Sequence, residues 1–286
     1  MTSHQAAATV PPPRRAGWRP RPGVALAVAV LALILLAALA PSLFTGAGAT
    51  DTDPLAALRP PSGAHWFGTD QLGRDVFARV VHGTRYSLAI GAAATGAGVA
   101  LAVVWGLAAA LSGRFGDALL MRAADVLLAL PGLLLALLVV LVAGKGVTGT
   151  TIAVAVGTAP GFARVVRAQA LVVRRSGYVE SAVTLGVPRL LIVVRHVLPN
   201  TLGPLLVLAT VTLGASISTG AALSYLGLGA QPPTPEWGAM LTEGQGFLDQ
   251  AWWIALFPGL LLLATVLAVT VVGRHAQNRA EGRSFR

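Results

Sequence analysis

The residues able to do acid–base, nucleophilic or metal chemistry are few in this sequence and stand apart. Five histidines, at 4, 65, 82, 196 and 275, show no ligand spacing. Cysteine is absent, which excludes disulfides, thiolate chemistry and Cys-based metal centres. "GKGVTGTT" (144–151) looks like a phosphate loop, but Gly146 follows Lys145 where Ser or Thr is required, and the spacing from an earlier glycine is wrong. It reads as a tight turn. No His-Glu-x-x-His or Gly-x-Ser-x-Gly motif occurs. The chain is therefore expected to be no enzyme and to hold no metal or cofactor by itself. One polar cluster stands out. "GYVESAVTLGVPRLLIVVRHVLPN" (177–200) sets Glu180, Arg189, Arg195 and His196 around a Gly-Val-Pro break in a strongly apolar chain.

The elements around that cluster are membrane elements. Of 286 residues, 55% are hydrophobic and 11% charged, where a soluble domain has about 25% charged. Mean hydropathy is +0.73. Six stretches reach the roughly 17–25 apolar residues a bilayer span needs: 23–44, 86–111, 126–143, 147–163, 199–226 and 252–273. The first exceeds a signal-peptide core of about 7–15 residues and reads as an uncleaved span. The Pro- and Arg-rich segment 1–22 before it reads as a disordered tail. The segments on the N-terminal side of the membrane (1–22, 112–125, 164–198, 274–286) hold 16 of the 21 Lys and Arg, and 4 of the 11 acids. The positive-inside rule then puts both termini in the cytoplasm. The net charge of +10 follows from topology, so nucleic acid is not the expected partner. No span carries an isolated carboxylate at its centre, against the habit of proton-coupled carriers. Arg122 and Asp125, three residues apart, share a helix face and could pair.

Within the polar cluster, Ser176 is placed to cap a helix starting near 177, with Glu180 in the first turn, where the helix dipole favours a carboxylate. Ala182 and Gly186, four apart, share a face, and their small size would let another protein approach closely. Pro188 then bends the chain.

Glu180-Ser181-Ala182, three residues, Gly186, nine residues, then His196-Val197-Leu198-Pro199 resembles the EAA loop of bacterial ABC importer permeases, with pattern Glu-Ala-Ala, three, Gly, nine, Ile-x-Leu-Pro. Ser181 and His196 depart from it. "HWFGTDQLGRDVFARVVHGTRYSLAIG" (65–91), "DVLLALPGLLLAL" (125–137) and "LSYLGLGAQPPTPEWGAMLTEGQGFLDQAWWIALFPGL" (223–260) resemble the second permease of peptide and nickel importers. The likeness covers about residues 65–275. It implies an all-α membrane protein of six transmembrane helices with a cytoplasmic coupling helix, the type I ABC importer transmembrane domain. In that layout 23–44 is the first helix, 45–85 an extracytoplasmic loop, 86–273 the transmembrane domain with its coupling loop at 176–199, and 274–286 a cytoplasmic tail. It further implies that Glu180, Ser181, Ala182, Gly186 and Arg189 couple to a separate ATPase subunit. The partners would be a second homologous permease chain, two ATPase subunits that hold ATP and Mg, and an extracytoplasmic substrate-binding protein. Peptides lead as substrate, with nickel or a metal chelate second.

Other residues keep two readings. Asp70, Arg74 and Asp75 form either a charge-paired turn or a contact with the binding protein. Gln231, Pro232, Pro233 and Trp237 belong to a stiff outer loop that serves as gate lid or docking platform, with Trp237 exposed or anchored at the interface. Glu236, Glu243 and Asp249 have no base in their own loop. Thr212, Ser216 and Ser218 either sit in a close-packed, small-residue span or face a translocation cavity. A self-sufficient secondary transporter or channel, or a membrane-embedded enzyme, are the competing functions.

Overall fold

A computed structural model describes residues 22–280. The proposed tail 1–22 therefore lies almost wholly outside the described residues, as does the end of 274–286. Apolar runs in a bilayer must satisfy every backbone group internally, and the described chain is accordingly helical. The helices are α1 (Pro22–Leu39), α2 (Val76–Leu111), α3 (Gly113–Ala129), α4 (Gly132–Ala143), α5 (Val147–Arg174), α6 (Gly177–Thr184), α7 (Arg189–Ile192), α8 (Leu198–Tyr225), α9 (Trp237–Gln245), α10 (Leu248–Ala251) and α11 (Trp253–Ala280). A π turn at Val193–Val197 joins α7 to α8.

Five of these are long and apolar enough to cross a membrane, and the sixth expected span is broken. Instead of one helix over 126–143, α3 and α4 meet at 103°. The cause is local. Pro131 cannot donate a backbone hydrogen bond and bars the helical conformation at Leu130, which is extended (φ −79°, ψ 138°). With 12 residues, α4 rises only about 18 Å.

α2 is the central mast. It has 36 residues and starts ten positions before the expected 86, because Asp75 caps it: Asp75 Oδ1 accepts from Ala78 N at 2.8 Å. It packs mainly on α5 and α8, and glycines set the approach. A methyl group at Gly98 would meet Thr158 Oγ1 at 2.4 Å, one at Gly106 would meet the Ala163 carbonyl at 2.6 Å, and one at Gly91 would meet Ile217 Cγ1 at 2.3 Å. α5 runs past the expected 163 to Arg174 and so leads directly into the loop 176–199. α3 is tied to α5 by two ion pairs, Asp117 with Arg167 and Asp125 with Arg164. Asp125 thus pairs across helices rather than with Arg122, since the expected i,i+3 contact competes with a guanidinium aimed from the neighbouring helix.

Gly106→Val is expected to overpack the α2–α5 seam, at a cost of about 1–3 kcal/mol. Gly96→Ala, which faces open space, should leave thermal unfolding of the detergent-solubilised protein unchanged while Gly106→Val lowers its midpoint.

Candidate functional site

The loop 176–199 is built on the ends of α2 and α5. Arg174 Nη1 donates to the Ala110 carbonyl, tying the two helix ends together. α6 leaves this corner and buries Val179 and Ala182 against Ala110, Ala170, Val173, Ile192 and Val197. Ser176 precedes it but does not cap it; its hydroxyl donates back to the Val173 carbonyl at 2.6 Å. Ser181 likewise donates to the Gly177 carbonyl at 2.8 Å.

Two expectations change here. Ala182 is 8% exposed, so its small side chain admits the chain's own bundle and not another protein. Gly186 does not line a shallow surface; it ends the helix. Its φ is +76°, its N–H donates to the Val183 carbonyl at 3.0 Å, and Val187 N–H donates to the Ala182 carbonyl at 3.1 Å. That pair of bonds is the Schellman motif, for which glycine is favoured. The outward face holds Glu180, Val183, Thr184 and Leu185, with Leu185 83% exposed. Arg189 opens α7 and is exposed. His196, where the motif has isoleucine, rests on Tyr178 with ring centroids 5.9 Å apart.

At the other end of the mast the residues expected in the outer loops divide. Asp70 and Arg74 are buried and bonded to each other, with Arg74 Nε donating to Asp70 Oδ2 at 2.6 Å. Glu243 Oε2 then accepts from Arg74 Nη2 at 2.8 Å and Arg79 Nη2 at 2.9 Å. The charge-paired turn is therefore what the geometry supports, and burial keeps Asp70 and Arg74 from reaching a partner. Asp75 caps α2 and also meets His65 Nδ1 at 2.8 Å. Trp237, expected exposed or interfacial, is fully buried. Its Nε1 donates to the Val80 carbonyl at 3.0 Å, and its backbone N–H to Ser87 Oγ at 3.1 Å. Glu236 caps α9 through Gly238 N and Ala239 N, and accepts from Ser87 Oγ at 3.0 Å. Glu243 has no base in its own loop because its guanidiniums lie 169 and 164 positions away in sequence, whereas Glu236 meets a hydroxyl and backbone amides and no base. Gln231, Pro232 and Pro233 remain exposed at the loop surface. Among the described residues, no three His, Cys, Asp or Glu converge as a metal site.

In α8, Thr212 is half-buried and bonded to the Leu208 carbonyl, and Ser218 is exposed on another face. Ser216 alone of the three lines a cavity of about 300 Å³ between α4, α5 and α8. Gly132, Thr158 and Thr219 line it too. Sequence reasoning missed them, although Leu130-Pro131-Gly132 marks the helix break that opens the cavity.

Comparison with known proteins fits this architecture. Residues 98–282 match the model of the family described as "Binding-protein-dependent transport system inner membrane component". The chain is 39% identical over 246 residues to the dipeptide transport system permease protein DppC of Alkalihalophilus pseudofirmus, covering 86% of this chain and 81% of that one. It is 45% identical over 213 residues to the glutathione transport system permease protein GsiD of Pectobacterium atrosepticum, covering 74% and 71%. The fold matches a chain of the MetNI methionine ABC transporter in inward-facing form with TM-score 0.54, at 19% identity over 72% of this chain and 97% of that one. A chain of an amino acid ABC transporter with histidines matches with TM-score 0.53, at 15% identity over 70% and 94%. The chain belongs to the binding-protein-dependent transport system inner membrane component family: it is a multi-pass membrane permease.

Glu243→Ala should leave two buried guanidiniums sharing one carboxylate and cost about 3–5 kcal/mol. Asp249→Ala, at an exposed position, is the control. The expected result is a lowered unfolding midpoint and faster proteolysis of the outer loops in the first variant only.

Proposed function

We propose that this chain is one permease subunit of an ATP-driven importer for short peptides, forming half of the translocation pathway with a second, homologous chain. The observation that carries this reading is α6. It is seated on the ends of α2 and α5 by its buried face and presents a short outward ridge of Glu180, Val183, Thr184 and Leu185. A partner that grips this ridge moves the two helix ends directly, because Val179 and Ala182 are packed on them. Two separate ATPase subunits hold ATP and Mg, one of them gripping this ridge and the other the second permease chain; an extracytoplasmic binding protein delivers substrate to the surface carrying Gln231, Pro232 and Pro233. Both termini and the coupling loop face the cytoplasm, as the distribution of arginine supports. Relatives named for dipeptide and glutathione transport support peptide over nickel as the cargo.

The test is Glu180→Arg. It places a cation on the ridge near Arg174, Arg175 and Arg189, none of which pairs with a carboxylate among the described residues. In the reconstituted importer, ATP-driven peptide uptake should fall by about tenfold or more, the loss of a charge-bearing contact at an interface. Insertion and thermal unfolding of the chain should be unchanged. Uptake equal to the parent would contradict the coupling role of α6.

A further inference from the structure

The cavity beside Ser216 combines three features that ordinary helix packing does not require. First is its depth. At about 1.5 Å of rise per residue, Ser216 lies roughly 14 Å below Tyr225, Gly157 roughly 15 Å below Val147, and Gly132 roughly 16 Å below Ala143. These helix ends lie together, since Leu228, just beyond α8, accepts from Gly146 N at 2.9 Å in the α4–α5 turn. The cavity therefore sits near the middle of a hydrocarbon layer about 30 Å thick. Second, α4 starts at this depth. Pro131 is its N-cap and gives no side-chain cap, and the first backbone bond runs from Leu135 N to the Pro131 carbonyl at 3.0 Å. The N–H groups of Gly132, Leu133 and Leu134 have no acceptor among the described residues. Gly132 and Leu133 line the cavity. Free amides at membrane depth persist only where they meet protein or a water-filled cavity. Third, Ser216 is 1% exposed and its Oγ has no hydrogen-bond partner, although it lines the same cavity.

The remaining lining is small or apolar and holds no charged side chain. Donors at a helix N-terminus, a free hydroxyl and the positive end of the helix dipole favour an anion with accepting oxygens. The same field opposes a bare divalent cation. The geometry points to a midway station that binds the C-terminal carboxylate of a peptide in transit, at the N-terminus of α4 with Ser216 as an added donor. Thr158 and Thr219 flank the peptide, and the space over Gly157 takes an apolar side chain. This inference rests on the reading of the chain as a peptide permease, and adds which end of the peptide this chain holds.

The test measures equilibrium binding, without ATP or binding protein, to the purified complex of this chain with its permease and ATPase partners. It is thus independent of coupling through Glu180. The probe is radiolabelled dialanine, competed by dialanine and by dialanine amide. We expect saturable binding, with the amide competing at least tenfold more weakly than the free acid. Ser216→Ala should weaken binding about tenfold, Ser216→Thr should restore it, and Gly157→Leu, which fills the cavity, should abolish it. Equal competition by acid and amide, unaltered binding in Ser216→Ala, or no saturable binding to the parent complex would each overturn the proposal. If binding behaves as expected while Glu180→Arg transports normally, the carboxylate station stands and the coupling reading fails.

Discussion

A backbone amide in the hydrocarbon layer has no water to bond, and the arrangement of this protein follows from that constraint. It makes the described chain helical and forces the helices to satisfy one another's polar groups. It also gives meaning to the places where regular α-helix stops. One is Leu130-Pro131, where α3 and α4 meet at 103°. Another is the π turn at Val193–Val197, where the chain enters α8. The first borders a cavity, and Val197 of the second packs in the cluster that buries Val179 and Ala182 of α6.

Between them α2 and α5 act as a stiff column. Glycine at 98 and 106 brings the two backbones into contact, and α2 also presses on α8 through Gly91. At the end nearest Asp75 the column is fastened by buried groups from two segments of chain, Arg74, Arg79 and Ser87 on one and Glu236, Trp237 and Glu243 on the other. At the opposite end Arg174 donates to the last turn of α2, and α6 is seated on the same corner. α6 is thus packed on the end of α2, and α2 in turn on α5 and α8, two of the helices that line the cavity.

Much of this was readable from residues alone. Apolar runs of span length and the spacing of Glu180, Gly186 and Pro199 point to a multi-span permease, and the family match agrees on the permease. What the sequence concealed are contacts between distant segments. Glu243 looked unpaired because its guanidiniums are on the other side of the bundle's sequence, at 74 and 79. Trp237 looked like a surface anchor because the Val80 carbonyl that holds it cannot be seen from its neighbours. Ala182 and Gly186 share a helical face on paper, yet Gly186 leaves the helix with positive φ and Ala182 turns inward. The break in the third span was available from Pro131, and a count of apolar residues passed over it.

The absence of cysteine from this chain permits a direct test of the central claim, that the outward ridge of α6 seats on an ATPase. Single cysteines at Leu185 and at Ala182 would be placed in the assembled importer, each with a photoactivatable thiol-linked crosslinker. The account predicts an ATPase adduct from Leu185→Cys and little or none from Ala182→Cys, which faces the chain's own bundle. Failure of Leu185→Cys to form an ATPase adduct, or equal adducts from both positions, would contradict it.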